Sequence, residues 1–261
     1  MGTVPVLSIV GMCFALLVAV GLPMVLMVYA FLKLKADMRW FGIGAVTFIV
    51  FALVLEQCLH FVMVRHFGEA LTENLLLKAV YGGIAAGVFE EVGRFTSMNL
   101  FKRKELNKRN AIMYGIGHGG IEAIIIVGLT SISNLITSIM INTETFEPML
   151  SSLDVDTKEQ TMNQISLLWT TGSLDFYLAG VERVVAITLH ICLSYIVYRS
   201  VKDKKVQLLL LAIVLHAGLD FVTVLLAGYV SSLVLEIVLL VLVFILAVLV
   251  YKRYSKDWEI E

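Results

Sequence analysis

Apolar residues fall in seven long blocks along this chain, separated by connections rich in charge or polar groups. The blocks cover approximately Val4–Leu32, Trp40–Val64, Leu75–Phe101, Ala111–Ile141, Leu174–Tyr198, Val206–Ala227 and Val230–Tyr251. Each approaches or exceeds the ~20 residues that an α-helix needs to cross a bilayer. The pattern predicts an all-α fold: a polytopic membrane helix bundle of about seven transmembrane helices, forming one integral membrane domain over residues 1–261. Only one connection is long, Asn142–Ser173. Its Phe146, Met149, Leu150, Leu167, Leu168 and Trp169 suit a short surface helix or cap, and its acidic residues equally suit a solvated linker.

The charges on the connections orient the bundle. Lys33, Lys35 and Arg39 outweigh Asp37 in the first connection, and Lys102, Arg103, Lys104, Lys108 and Arg109 outweigh Glu105 in the third. Arg199, Lys202, Lys204 and Lys205 outweigh Asp203, and Lys252 and Arg253 follow the last block. With seven spans these four segments share one side, and positive segments face the cytoplasm. The long connection, with Glu144, Glu147, Asp154, Asp156 and Glu159 against Lys158, falls on the other. The expected topology is N-terminus outside and C-terminus inside.

Composition agrees. The chain is 59% hydrophobic with a mean hydropathy of +0.90, which points to a multi-pass membrane protein. A net charge of −1 offers no electrostatic footprint for nucleic acid. Cys13, Cys58 and Cys192 lie in apolar runs at no metal-ligand spacing and read as packing residues. The first apolar run has no basic segment before it and reads as a retained span, not a cleaved signal.

Against this background, Glu90, Glu91 and Arg94 stand out, because they fall inside a membrane-length apolar segment. A charge at bilayer depth costs roughly 2.5–3.5 kcal/mol on insertion scales, and intramembrane ionisable residues default to function. On a helix Arg94 faces Glu90 at i,i+4 and Glu91 at i,i+3, so either glutamate can pair with it and leave the other free. With the basic connections as the inner boundary, Glu90 and Glu91 lie roughly 17–18 Å deep, His118 and His190 roughly 14 Å, and His216 roughly 17 Å. A carboxylate pair and three imidazoles on four helices thus share one slab. Each histidine has a neighbour at i,i+4 that can orient it: Glu122 for His118, Ser194 for His190 and Asp220 for His216. Glu182 and Arg183 sit two turns outward of His190 as supporting residues that can bridge helices. Glycines at 82, 83, 87, 115, 117, 119 and 120 surround the slab and allow close helix approach. Glu56, His60 and Glu236 lie outside the slab and read as structural.

Such a set can hydrolyse a peptide bond, which requires an activated water, an acid–base group and donors for the developing oxyanion. A carboxylate beside a like charge in low dielectric can act as base. A second version places zinc on His118, His190, His216 and Glu91, with water as nucleophile. No His-Glu-x-x-His pair makes the metal assignment specific, and a metal-free site is the favoured version.

The sequence Glu90-Glu91-Val-Gly-Arg94, a histidine on the next helix and His216-Ala-Gly-Leu-Asp220 together resemble the glutamic-type intramembrane protease superfamily. That superfamily includes the type II CAAX prenyl endopeptidases, the CPBP proteins and the PrsW-like proteases. Gly115-Ile-Gly-His118-Gly-Gly-Ile-Glu122 and Glu182-Arg183-(x)6-His190 are similar to the YhfC family of bacterial intramembrane proteases. The resemblance spans about residues 75–221. It implies Glu90 as base with His118 assisting, and His216 and Asp220 on the oxyanion side. Two residues separate Glu91 from Arg94, where the CAAX-type pattern has three, and His190 has no counterpart in its simplest form.

The expectation is therefore an intramembrane endopeptidase acting on a peptide or membrane-protein substrate in the lipid bilayer. A zinc-dependent protease at the same site is the rival enzyme, and a non-catalytic peptide-binding protein or scaffold is the rival outside enzymes. A transporter, the third alternative, would more often show inverted repeats, and none is visible. Replacing the acidic residues of Asn142–Ser173 should alter substrate preference at most, and loss of turnover on a generic peptide with folding intact would place chemistry in that loop. A topology reporter fused after Glu261 should be active only in its cytoplasmic form, and an extracytoplasmic readout there would defeat both the orientation and the common-depth argument.

Overall fold

A computed structural model describes residues 2–101 and 103–259. Lys102 and the side chain of Arg103, both counted in the third connection, lie outside the described residues. All regular structure among the described residues is helical. The helices are α1 (Val6–Leu32), α2 (Arg39–Phe48), α3 (Gln57–Glu73), α4 (Leu75–Leu100), α5 (Lys108–Ala123), α6 (Leu129–Asn142), α7 (Glu147–Ser151), α8 (Val155–Thr170), α9 (Ser173–Asp203), α10 (Val206–Ala227) and α11 (Ser232–Glu259). Two π-helical stretches, Ile49–Glu56 and Ile124–Gly128, carry α2 into α3 and α5 into α6 without a break. Each adjoins a buried or half-buried carboxylate: the first ends on Glu56, and the second begins two residues after Glu122.

Six helical runs are long and apolar enough to cross a membrane: Val6–Leu32, Arg39–Gly68, Lys108–Asn142, Ser173–Asp203, Val206–Ala227 and Ser232–Lys256. The expected seventh, α4, has 26 residues, which at about 1.5 Å per residue matches a bilayer in length. Its composition sets it apart, because it carries Lys78, Glu90, Glu91 and Arg94. The last three are buried in protein, so a helix that apolar composition alone would pass over is accommodated by its neighbours.

The chain resolves into two compact units, residues 1–22 with 123–184, and residues 23–122 with 185–261. In the first, α7 and α8 are helices within the long connection. Phe146, Leu150, Ile165 and Leu168 bury themselves with Val4, Met12 and Ile141. Of the apolar residues expected to form a cap, Met149 and Leu167 stay exposed, because they occupy the outer faces of their short helices. Asp154 caps α8 by accepting a hydrogen bond from the Thr157 amide at 3.0 Å, and the Thr157 hydroxyl together with that amide holds its carboxyl below the usual aspartate range.

The second unit has a core built on Trp40, Met98, Met113, Tyr114, Leu193 and Tyr198, all nearly or fully buried. Two glycines set the helix spacing. A Cβ on Gly87 of α4 would lie 2.9 Å from the Ala217 Cβ and the Ile213 carbonyl of α10. A Cβ on Gly115 of α5 would lie 2.6 Å from the Ile191 Cα and 2.8 Å from the His190 carbonyl of α9. These backbones touch because no side chain keeps them apart. Gly115→Leu should therefore lower the thermal stability of the detergent-solubilised protein by at least the ~1–3 kcal/mol of core overpacking. An unchanged melting temperature would show that α5 and α9 have room to separate.

Candidate active site

Within the second unit, α4, α5, α9 and α10 bring Glu90, Glu91, Arg94, His118, Glu122, His190, His216 and Asp220 together. Glu91 and Arg94 are fully buried and pair with each other, Arg94 Nε standing 3.1 Å from Glu91 Oε2. Of the two pairings the helix allows, the i,i+3 one forms. Arg94 also reaches α9, where it donates to the His190 carbonyl at 2.9 Å, to Ser194 Oγ, and to His190 Nδ1 at 3.1 Å. One guanidinium thus serves a carboxylate on its own helix and three acceptors on another, which its planar fork of five donors permits.

Glu90 is left for the histidines. His118 Nε2 and Glu90 Oε2 are 2.8 Å apart, and His190 Nδ1 is 3.9 Å from the same oxygen. Glu90 keeps 9% of its side chain accessible, whereas Glu91 keeps none, so Glu90 is the more accessible of the two glutamates. The three imidazoles stand in a row, with ring centroids 4.9 Å apart from His118 to His190 and 5.4 Å from His190 to His216. Phe48 meets the His118 ring edge-on at 5.3 Å, and Tyr114 stacks on it at 6.1 Å. Tyr114 shares a 2.9 Å hydrogen bond with Ser97 and lies under the Arg94 guanidinium at 5.9 Å.

Carboxylates hold the outer nitrogens of two histidines. Glu122 Oε2 lies 2.5 Å from His190 Nε2, and Glu91 Oε1 lies 2.8 Å from His216 Nδ1. A carboxylate accepts only from a protonated nitrogen, so the other nitrogen of each ring offers a lone pair. His190 Nδ1 lies 3.9 Å from Glu90 Oε2, and ligand atoms of Glu90, His190 and His216 all come within 4.8 Å of one another. Two imidazoles and a carboxylate, with both imidazoles oriented by carboxylates, form a donor set that suits zinc. His118 Nδ1 is buried and has no hydrogen-bond partner among the described residues.

Several partners differ from the helical spacing. Glu122, expected to orient His118, carries His190 on another helix. Ser194, expected to orient His190, accepts from Arg94. His216 and Asp220 stand 3.6 Å apart, in ion-pair range but beyond a hydrogen bond, and Asp220 keeps 34% of its side chain exposed. Of the metal set His118, His190, His216 and Glu91, the structure groups His190 and His216 with Glu90, because His118 is bonded to Glu90 and Glu91 to Arg94. Glu182 and Arg183 belong to the first unit and pair with each other, Arg183 Nε donating to Glu182 Oε2 at 2.7 Å. Tyr114 and the cross-helix reach of Arg94 are absent from the sequence reading; tyrosine in an apolar helix carries no signal of its own.

A bundle of membrane-length helices that buries this many ionisable groups in one cluster is a polytopic membrane protein with its charged groups gathered between its helices. A family model described as YhfC intramembrane metalloprotease matches residues 14–253, and the chain belongs to that family. It is 38% identical over 202 residues to the uncharacterized membrane protein YhfC of Bacillus subtilis (strain 168), covering 77% of this chain and 78% of that protein. No solved structure matches.

The buried pair makes a prediction. Arg94→Ala leaves Glu91 buried without its counter-charge and should cost ~3–5 kcal/mol. Adding Glu91→Gln should recover part of that loss, since the orphaned charge is then gone. Thermal unfolding of the single and double variants in detergent measures the coupling, and strictly additive losses would show that the two side chains do not stabilise each other.

Proposed function

We propose that this protein is an endopeptidase that hydrolyses a peptide bond within or near the bilayer, with Glu90, His190 and His216 as the groups that activate water. The observation that carries this reading is the convergence of their ligand atoms within 4.8 Å, on helices of membrane length. The family's description supports the reaction class.

Glu90 accepts the proton of the attacking water. His118, hydrogen-bonded to it at 2.8 Å, assists by donating from Nε2 to the carboxylate, and the protonated Glu90 gives its proton to the departing amine. Glu122 and Glu91 fix the tautomers of His190 and His216, which leaves Nδ1 of the first and Nε2 of the second without a proton. Asp220, the most accessible carboxylate of the set, lines the open side where a peptide enters. Arg94 balances Glu91 and keeps the net charge of the buried cluster low enough to be tolerated. A divalent metal held by Glu90, His190 and His216 would polarise the scissile carbonyl and acidify water.

One contact favours a second, metal-free reading. Arg94 Nη2 donates to His190 Nδ1, the lone pair that a metal would use. In that version Glu90 alone is the base, and His216 with Asp220 faces the oxyanion. Metal content of the purified protein separates the two. The metal reading expects about one zinc per chain, lost in both His190→Ala and His216→Ala, and cleavage that stops on chelation. Metal-free protein whose cleavage is indifferent to a chelator favours the second. In either case Glu90→Gln should fold and lose ~10²–10⁴-fold in cleavage of a reporter peptide. A stable Glu90→Gln protein with undiminished cleavage would overturn the assignment.

A further inference from the structure

The same two helices that carry His190 and His216 also form a groove away from the cluster. Between α9, α10 and α11 lies a groove of about 560 Å³. Leu211 and Leu215 of α10 form one wall, and Leu246 and Leu249 of α11 the other. At one end the lining changes character: Arg199, Lys205 and Arg253 gather there with Asp203. Arg199 donates to Asp203 at 3.0 Å and 2.6 Å, so the carboxylate offsets one of the three cations. Lys205 and Arg253 are exposed, and among the described residues that line this end three are cationic and one is a carboxylate.

The dimensions fit one kind of molecule. From Lys205 to Leu215 α10 rises about 15 Å, at 1.5 Å per residue, which is half of the ~30 Å hydrocarbon layer. A groove that is apolar for the depth of one leaflet and cationic at the end bearing the basic connections matches an acyl chain below an anionic headgroup. Basic pockets between membrane helices recognise such headgroups. We infer that this groove is a binding site for an anionic phospholipid, whose phosphate is held by Lys205 and Arg253 and whose chain lies against Leu211 and Leu249. The lipid would brace α9 against α10, the helices that carry His190 and His216. The inference does not depend on the protein being a protease.

The full chain in detergent, titrated with phosphatidylglycerol and with phosphatidylcholine of the same acyl chains and read by native mass spectrometry, tests this. Phosphatidylglycerol should bind about tenfold tighter or more. Each basic side chain beside an anionic lipid contributes about fivefold, so Lys205→Ala/Arg253→Ala should lose about twenty-fold for phosphatidylglycerol and little for phosphatidylcholine. Leu211→Trp fills the wall without touching charge and should weaken both lipids. High salt on the unaltered protein should shrink the preference without any substitution. Equal binding of the two lipids, a preference that survives the double substitution in folded protein or high salt on the unaltered protein, or full competition by soluble glycerol phosphate would each overturn the site.

Discussion

The site depends on how Arg94 is satisfied. A guanidinium cannot shed its proton, so its burial requires acceptors in place before the helices close. Glu91 supplies the counter-charge from the same helix. The His190 carbonyl, Ser194 Oγ and His190 Nδ1 supply the rest from α9. Each of those contacts fixes the register of α9 against α4, and with it the height of His190. Glu91 meanwhile spends its second oxygen on His216, fixing α10 in the same way. One ion pair therefore aligns three helices and leaves Glu90 in the middle, bonded to His118.

That division explains why two adjacent glutamates have different properties. Glu91 is enclosed on every side and engaged at both oxygens. Glu90 retains some accessibility and, among the described residues, is hydrogen-bonded only to His118. Adjacent positions on a helix point about 100° apart, so one carboxylate faces the helix junction and the other faces the centre. The glycines make this geometry reachable. With Gly87 and Gly115 the backbones approach until side chains of ordinary length meet across helices; larger residues would hold the same groups a turn's width apart.

Much of this was legible in the chain. Block length gave the helices, since a bilayer leaves no other way to satisfy the backbone of twenty apolar residues. The charge of Glu90, Glu91 and Arg94 inside such a block singled out α4 as the helix that needs partners for buried charge, and rise per residue placed His118, His190 and His216 at its level. The motifs pointed to the family to which the chain belongs. The amphipathic residues of the long connection announced α7 and α8 as a capping element or a linker, without saying which of Phe146 and Met149 would turn inward.

Partner choice was decided only by tertiary structure. Spacing along one helix offers His118 to Glu122 and His190 to Ser194, because those pairs are near in any isolated helix. In the bundle Glu122 takes His190 and Ser194 takes Arg94, since side chains across a glycine-lined contact compete with those a turn away, and the buried guanidinium must be satisfied first. Depth can be counted from sequence, as it needs only the rise of a helix. Azimuth cannot, because it depends on which face each helix presents to its neighbours. The chain alone therefore determined which residues share a level in the membrane, and packing decided which of them meet.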